Sequence, residues 1–144
     1  MSTYYFSMER VLELKANKEK NVMEKFATLL NELSHQKTLL ITFLKELEGF
    51  KVKGQRIIGI NGLKQQLLYK QTIEERIMEQ NEVIQNISDK LEFVRLELVS
   101  AQKERKIMEK LKEKDFNNFQ EDLKTMEQKE LDEMAILKFN RIEI

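Results

Sequence analysis

The chain contains no cysteine, no proline and no tryptophan, and it has only four glycines among 144 residues. Without cysteine it can form neither disulfide bonds nor thiolate metal sites, and this usage fits a reducing compartment, so the cytoplasm is expected. Without proline, and with so little glycine, it lacks the residues that interrupt helices. The composition therefore favours long helices over a layered globular domain.

An excess of charge of one sign is also missing, because 25 basic side chains balance 25 acidic ones. Nucleic-acid-binding domains usually carry a basic surplus, so nucleic acid is not expected as the main partner. The first residues lack the basic and apolar regions of a signal peptide, and no stretch approaches about 18 uncharged apolar residues. We expect neither a signal peptide nor a membrane span.

Apolar residues in the first third recur with the alternating spacing of four and three that defines a coiled-coil seam. Gln36 is the only polar residue in this seam, while Lys15 and Glu19 continue the same frame towards the N-terminus. We expect that charged end to pair less tightly. The seam positions are Val22, Phe26, Leu29, Leu33, Gln36, Leu40, Phe43, Leu47 and Phe50.

A second seam with the same spacing follows, and Gln80 is its only polar member. All four glycines lie between Gly49 and Gly62, which makes this segment the turn, with Asn61 as N-cap of the helix after it. The two seams thus predict an antiparallel helical hairpin. The second seam consists of Ile73, Ile77, Gln80, Ile84, Ile87, Leu91, Val94, Leu98 and Ala101.

The predicted fold is all-α: one antiparallel coiled-coil domain over residues 1–144, with a C-terminal helix that extends beyond its partner. Helix 1 is expected at about 3–50, the turn at about 51–62 and helix 2 at about 63–140. Chain geometry suggests a register that places Gln36 beside Ile77 and Gln80 beside Leu33. Each glutamine would then lie next to an apolar residue, which disfavours slipped alignments at some cost in stability.

The turn region is strongly basic, since residues 51–70 contain five basic side chains and no acidic one. Three roles are consistent with this charge. It can keep the tip soluble, dock on an acidic protein surface or contact an anionic membrane surface.

The second helix is longer than the first. In the expected register the first arm ends opposite about Met108 or slightly beyond, so some 30 residues, or roughly 45 Å of helix, have no partner. The apolar stripe also changes from a repeat of about 3.5 to about 3.6 residues, which is the repeat of a straight helix. We expect this part to bind another protein; the alternative is self-association of two such helices in a dimer or a four-helix assembly. The stripe consists of Met108, Leu111, Asp115, Phe119, Leu123, Met126, Glu130, Met134 and Leu137.

Signals for catalysis are weak. Gly54 and Gly59 have the spacing of a phosphate-binding loop, but Ile60 and Asn61 stand where that motif needs Lys and Ser or Thr. His35 is the only histidine, and a lone histidine is a poor metal ligand. The sequence predicts no enzyme, no cofactor, no metal and no small-molecule substrate.

Three blocks give the chain a resemblance to the FliJ family, the stalk component of the flagellar type III export apparatus. They are residues 5–12 (YFSMERVL), 101–111 (AQKERKIMEKL) and 127–135 (EQKELDEMA), followed by Arg141. The resemblance implies a hairpin similar to the central stalk of rotary ATPases. It also implies that the end with both termini inserts into the export ATPase hexamer, and that the other side engages the export gate cytoplasmic domain and the export substrate chaperones.

The family assignment implies a cytoplasmic protein, associated peripherally with the inner face of the cell membrane, and we expect a monomer with at most weak self-association. Alternatives are a free structural coiled coil, a holdase chaperone, or the stalk of a virulence type III system or of a V/A-type ATPase. The matched blocks supply the expected ring-binding residues Gln102, Lys103, Arg105, Lys106, Lys110, Gln128, Asp132 and Glu133. Position near the turn, without a motif, suggests the gate-binding residues Phe43, Leu47, Tyr69 and Ile73.

Overall fold

The computed structural model describes residues 3–53 and 59–143, and it contains two long helices packed against each other. Helix α1 spans Glu9–Lys53 and helix α2 spans Ile60–Glu143. There is no strand in these two ranges. The predicted all-α helical hairpin is confirmed. The middle of the predicted turn, residues 54–58, lies outside the described ranges, while 51–53 belong to α1 and 60–62 to α2.

Both helices begin with a backbone hydrogen bond that defines the first turn. The Leu12 N–H donates to the Met8 carbonyl at 3.0 Å, so α1 starts later than expected and residues 3–8 precede it. The Leu63 N–H donates to the Gly59 carbonyl at 3.1 Å. Gly59 has a φ of 110°, which favours glycine over any other residue. Asn61 lies inside the first turn of α2, so the prediction that it is the N-cap is wrong.

The chain packs as two units. The terminal unit consists of Met1–Glu19 with Ser100–Ile144, and the middle unit consists of Lys20–Val99. Each unit contains part of both helices. None of the described helices carries an apolar stretch long enough to cross a membrane.

The core of the middle unit follows the two predicted seams. Ile73, Ile87 and Val94 of α2 are buried, with Ile73 only 1% exposed. The α1 seam residues, such as Phe26 and Leu33, are half-buried, as are Ile77 and Ile84 of the α2 seam. The 4,3 spacing therefore predicted correctly which face of each helix is buried.

The register of the middle unit differs from the expected one by nearly one helical turn. Gln80 Nε2 donates to Gln36 Oε1 at 2.7 Å and to the Gln36 carbonyl at 2.8 Å, so Gln36 lies beside Gln80 and not beside Ile77. Gln80 is 8% exposed. A buried amide without a hydrogen-bond partner is costly, and this pairing gives the Gln80 amide nitrogen two acceptors and the Gln36 side-chain oxygen a donor. This preference overrides the register inferred from turn length alone.

Replacing Gln80 by leucine is expected to destabilise the protein by about 1–3 kcal/mol, because the Gln36 side chain stays in the seam without its amide partner. The double variant Gln36→Leu/Gln80→Leu is expected to recover this loss, since an apolar layer replaces the polar pair. Urea unfolding followed by circular dichroism measures both changes. If the two substitutions are simply additive, the glutamines are not energetically coupled.

Candidate partner-binding surfaces

Among the residues that the structure describes, none covers the last part of α2. Every residue from Lys124 to Ile142 is exposed, and we call this segment the free helix. Its apolar side chains include Met134 and Leu137, which are 63% and 64% exposed. A lone helix of this kind lacks the packing that normally stabilises helices in water. Such exposed apolar stripes mark interaction sites in soluble proteins.

Tyr4 defines where the free helix begins. Its ring centroid lies 5.0 Å from that of Phe116 in an edge-to-face arrangement and 5.2 Å from that of Phe119. The Tyr4 hydroxyl donates to Asp115 Oδ2 at 3.0 Å, and the pKa of this phenol is raised by partial burial and then by the Asp115 hydrogen bond. The contacts between the N-terminal segment and α2 thus reach Phe119, farther beyond Met108 than expected, and the expected overhang of about 30 residues is too long. Non-helical residues at the N-terminus rise farther per residue than a helix does.

The charged seam residue Lys15 finds an opposite charge on α2. Lys15 Nζ lies 3.1 Å from Glu104 Oε2, and Lys18 Nζ lies 3.6 Å from the same oxygen. The hydrogen bond from Lys15, followed by the charges of Lys15 and Lys18, lowers the pKa of Glu104. The two lysines and one carboxylate align the helices of the terminal unit by charge.

Arg105 joins the other charged seam residue, Glu19, to α2. Its Nε donates to Glu19 Oε2, and its Nη1 donates to Glu109 Oε1 at 2.6 Å. The bond to Glu109, then the bond to Glu19, raises the pKa of Arg105. The Glu19 side chain is mostly covered. Arg105 therefore already binds two carboxylates of its own chain.

The lowered pKa of Glu104 predicts an acid-dependent stability of the terminal unit. A carboxyl whose pKa is lower in the folded state stabilises above its unfolded pKa, and this contribution is lost as the pH falls through the folded pKa. Glu104→Gln should therefore flatten the loss of stability between neutral pH and about pH 3. Thermal unfolding across this range, with the exposed Glu113→Gln as matched control, measures the difference. Equal acid profiles for the two variants would contradict the assignment.

The expected ring-binding residues fall into two separate groups. Lys103, Lys106 and Lys110 are exposed on the paired part of α2, Gln102 is half-buried, and Arg105 is held by its ion pairs. The others belong to the free helix, beginning 18 residues beyond Lys110, or about 27 Å along the axis. In the free helix the Gln128 amide donates to Asp132 Oδ1 at 3.1 Å, while Glu133 is exposed.

Sequence reasoning missed several exposed apolar residues of the free helix, because it followed one stripe only. Their signal in the sequence is an apolar side chain off the stripe in a segment rich in charge. They are Leu131, Ile136, Phe139 and Ile142.

The expected gate-binding residues differ in accessibility. Ile73 is buried, while Phe43 and Leu47 are half-buried in the seam. Tyr69 is 45% exposed; its hydroxyl donates to Glu46 Oε1 at 2.5 Å, and this bond, followed by desolvation, raises the pKa of Tyr69. The ring of Tyr69 also lies 5.2 Å from that of Phe50. Tyr69 is therefore the member of this set best placed to meet a partner. Exposed apolar residues near it, which the sequence analysis did not select, are Leu63, Leu67 and Leu68.

A groove of about 770 Å³ lies on the middle unit. Its lining includes Leu29, Val94 and the exposed Phe93, together with the charged residues Lys25, Lys90 and Asp89. Within residues 3–53 and 59–143 no three His, Asp or Glu side chains come together as a metal site would require.

Comparison with known proteins gives one match. The family model described as "Flagellar FliJ protein" matches residues 4–143, which is nearly the whole chain. No curated protein and no solved structure matches the sequence or the fold.

Proposed function

The chain belongs to the FliJ family and is thus a flagellar export-associated protein, and from this premise we propose that its free helix binds the hexameric export ATPase. The family has a structural or escort role, so the expected contribution to export is binding and not chemistry. Insertion of the free helix into the ring would promote assembly of the hexamer and its ATP hydrolysis.

The exposure of the free helix is the observation that supports this proposal most directly. All side chains from Lys124 to Ile142 are accessible, over about 28 Å of helix. Within this segment lie Gln128, Asp132 and Glu133, three of the residues expected to meet the ring. The exposed lysines Lys103 and Lys106 lie in the paired part of α2 and would contact the ring entrance.

The mechanism requires a difference in binding free energy between states of the ring. A helix that bound every state of the ATPase equally would change neither its assembly nor its activity. The free helix carries apolar side chains such as Met134 beside charged ones such as Glu133. The free energy of its binding would therefore depend on how closely the ATPase subunits surround it. Preferential binding to the closed hexamer would favour that state.

For the second partner we propose a surface on the middle unit. Tyr69 and the exposed leucines Leu67 and Leu68 would bind the cytoplasmic domain of the export gate or the substrate chaperones. Phe43 and Leu47 would contribute their exposed edges, while Ile73 would act by holding the helices together. In this arrangement the protein would work in the cytoplasm at the inner face of the membrane.

The test is a binding and ATPase-stimulation assay with the cognate export ATPase, using the full chain and a chain that ends at Leu123. The structure favours this cut over one after Lys110, because Asp115, Phe116 and Phe119 hold Tyr4. A parallel arm measures binding of the gate cytoplasmic domain by a Tyr69→Ala variant. Suppression of aggregation by the full chain, without any effect on the ATPase, would support a holdase instead.

A further inference from the structure

We propose that the free helix also binds a second copy of this chain, forming an antiparallel pair with a single favoured register. The order of charges along the free helix and its exposed apolar residues favour this pairing. It does not depend on the proposed role in export.

Charges of opposite sign are separated along the free helix. Residues 127–133 contain four acids and one lysine, whereas residues 134–142 contain Lys138, Arg141 and no acid. In an antiparallel pair the acidic half of each copy lies against the basic half of the other. A parallel pair would place like charges side by side, so the pattern favours the antiparallel arrangement.

One register joins this charge complementarity to apolar packing. Glu130, Met134, Leu137 and Arg141 follow the 4,3 spacing and therefore lie on one face of α2. When Met134 of one copy lies beside Leu137 of the other, Glu130 lies beside Arg141. Two-fold symmetry repeats both contacts, which gives two apolar layers flanked by two ion pairs.

Registers shifted by one heptad pair the seam residues less favourably. A shift of one heptad towards longer overlap places Glu130 beside Met134 and leaves Arg141 without an acidic partner in the seam. A shift in the other direction places Leu137 beside Arg141. Only the proposed register pairs both apolar residues with apolar residues and both charges with opposite charges.

The seam residues of the free helix are accessible to a second copy. All four seam side chains are exposed, and Met134 and Leu137 retain over half of their surface. In the proposed register the described helix overlaps its copy from Gln128 to Glu143. That overlap stops well before Phe119, where Tyr4 packs, so the two copies do not compete with the N-terminal segment.

The overlap is short, about 20 Å of helix, which is small beside the interfaces of stable dimers. The dimer should therefore be weak and concentration-dependent, and it should weaken further at high salt. Self-pairing would cover Met134 and Leu137 while the protein has no other partner. A partner that binds more tightly would displace the second copy and expose these residues.

Sedimentation equilibrium of the full chain and of charge variants tests the proposal. The wild-type chain should dimerise at high micromolar concentration. Glu130→Arg and Arg141→Glu should each weaken dimerisation about tenfold or more, because each creates two like-charge contacts. An equimolar mixture of these two variants should dimerise again, since every seam contact between them joins opposite charges.

Asp132→Arg is the matched control, because it makes the same change of charge outside the seam. Because Asp132 belongs to the acidic half but not to the seam, this change should weaken dimerisation much less than Glu130→Arg does. A wild-type chain that stays monomeric at its solubility limit would overturn the proposal. So would equal weakening by Asp132→Arg and Glu130→Arg, or a mixture of variants that fails to associate while circular dichroism shows both to be folded.

A distance measurement between spin labels tests whether the two helices run antiparallel. The chain contains no cysteine, so a Gln128→Cys variant carries a spin label at one known position. In the antiparallel register two such labels lie about 22 Å apart along the axis. A distance near 10 Å, as in a parallel pair, would overturn the proposed arrangement.

Discussion

A chain that ends at Leu123 is expected to keep its folded hairpin and to lose its stimulation of the export ATPase. The residues removed up to Ile142 are all exposed, so their loss should change the free energy of unfolding of the remainder by less than about 0.5 kcal/mol. Binding, in contrast, should fall to the background of the assay, because the proposed ring-binding helix is gone. Circular dichroism with urea reports the first quantity, and ATP hydrolysis at saturating chain concentration reports the second.

Point variants test whether ATPase stimulation requires one particular face of the free helix or only the presence of a helix there. Met134→Asp/Leu137→Asp places two charges on the predicted stripe, whereas Ile136→Asp/Phe139→Asp places two on the other side of the helix. We expect the first pair to reduce stimulation strongly and the second to reduce it less. Full stimulation by the chain that ends at Leu123 would rule out the free helix as the ring-binding element.

A chain that ends at Lys110 would test the role of the free helix less clearly than the chain that ends at Leu123. It removes Asp115, Phe116 and Phe119 and thereby leaves Tyr4 without its hydrogen bond and both ring contacts. The terminal unit should lose stability, so a loss of stimulation would have two causes. The contrast between the two cuts separates unfolding of the terminal unit from loss of the partner surface.

The hydrophobic spacing predicted the buried faces correctly because burial in a two-helix layer repeats with the heptad. Ile73, Ile87 and Val94 are buried as their seam positions require. Spacing alone does not determine register, since a slip of one turn keeps apolar faces together. The sequence nevertheless indicates the register, because each seam contains one glutamine. Placing Gln36 beside Gln80 gives the observed alignment.

The candidate site was harder to predict than the fold. Arg105 belongs to a matched family block, yet it binds Glu19, which lies 86 residues away in the sequence, and no local pattern predicts that contact. Only its bond to Glu109, an i,i+4 pair on the same helix, could be predicted from spacing. Tyr4 reaches Phe116 because the residues before Glu9 are not helical, which shortens the free helix. Contacts made across the hairpin depend on register and end geometry, and these are tertiary properties.

Replacement of Ile73 by alanine is expected to destabilise the protein by about 2–4 kcal/mol, a drop in the folding equilibrium constant of roughly 30-fold to 1,000-fold. Ile73 is the most completely buried large side chain of the described residues, and its removal leaves a cavity that rigid helices fill only partly. Met78→Ala, at a position 69% exposed, is the control and should cost less than about 0.5 kcal/mol. Urea unfolding followed at 222 nm measures both. Equal losses for the two variants would mean that burial at Ile73 does not govern stability.

The same position also tests how the middle unit would meet the gate. Because Ile73 is covered, any effect on gate binding should follow from loss of the hairpin and not from loss of a contact. Ile73→Val removes one methylene, should cost about 0.5–1.5 kcal/mol and should leave binding of the gate domain unchanged at a temperature where the chain stays folded. Tyr69→Ala should weaken that binding with little change in stability, since Tyr69 is partly exposed. If Ile73→Val abolishes binding in a folded chain, Ile73 itself contacts the gate, and the helices must separate there to expose it.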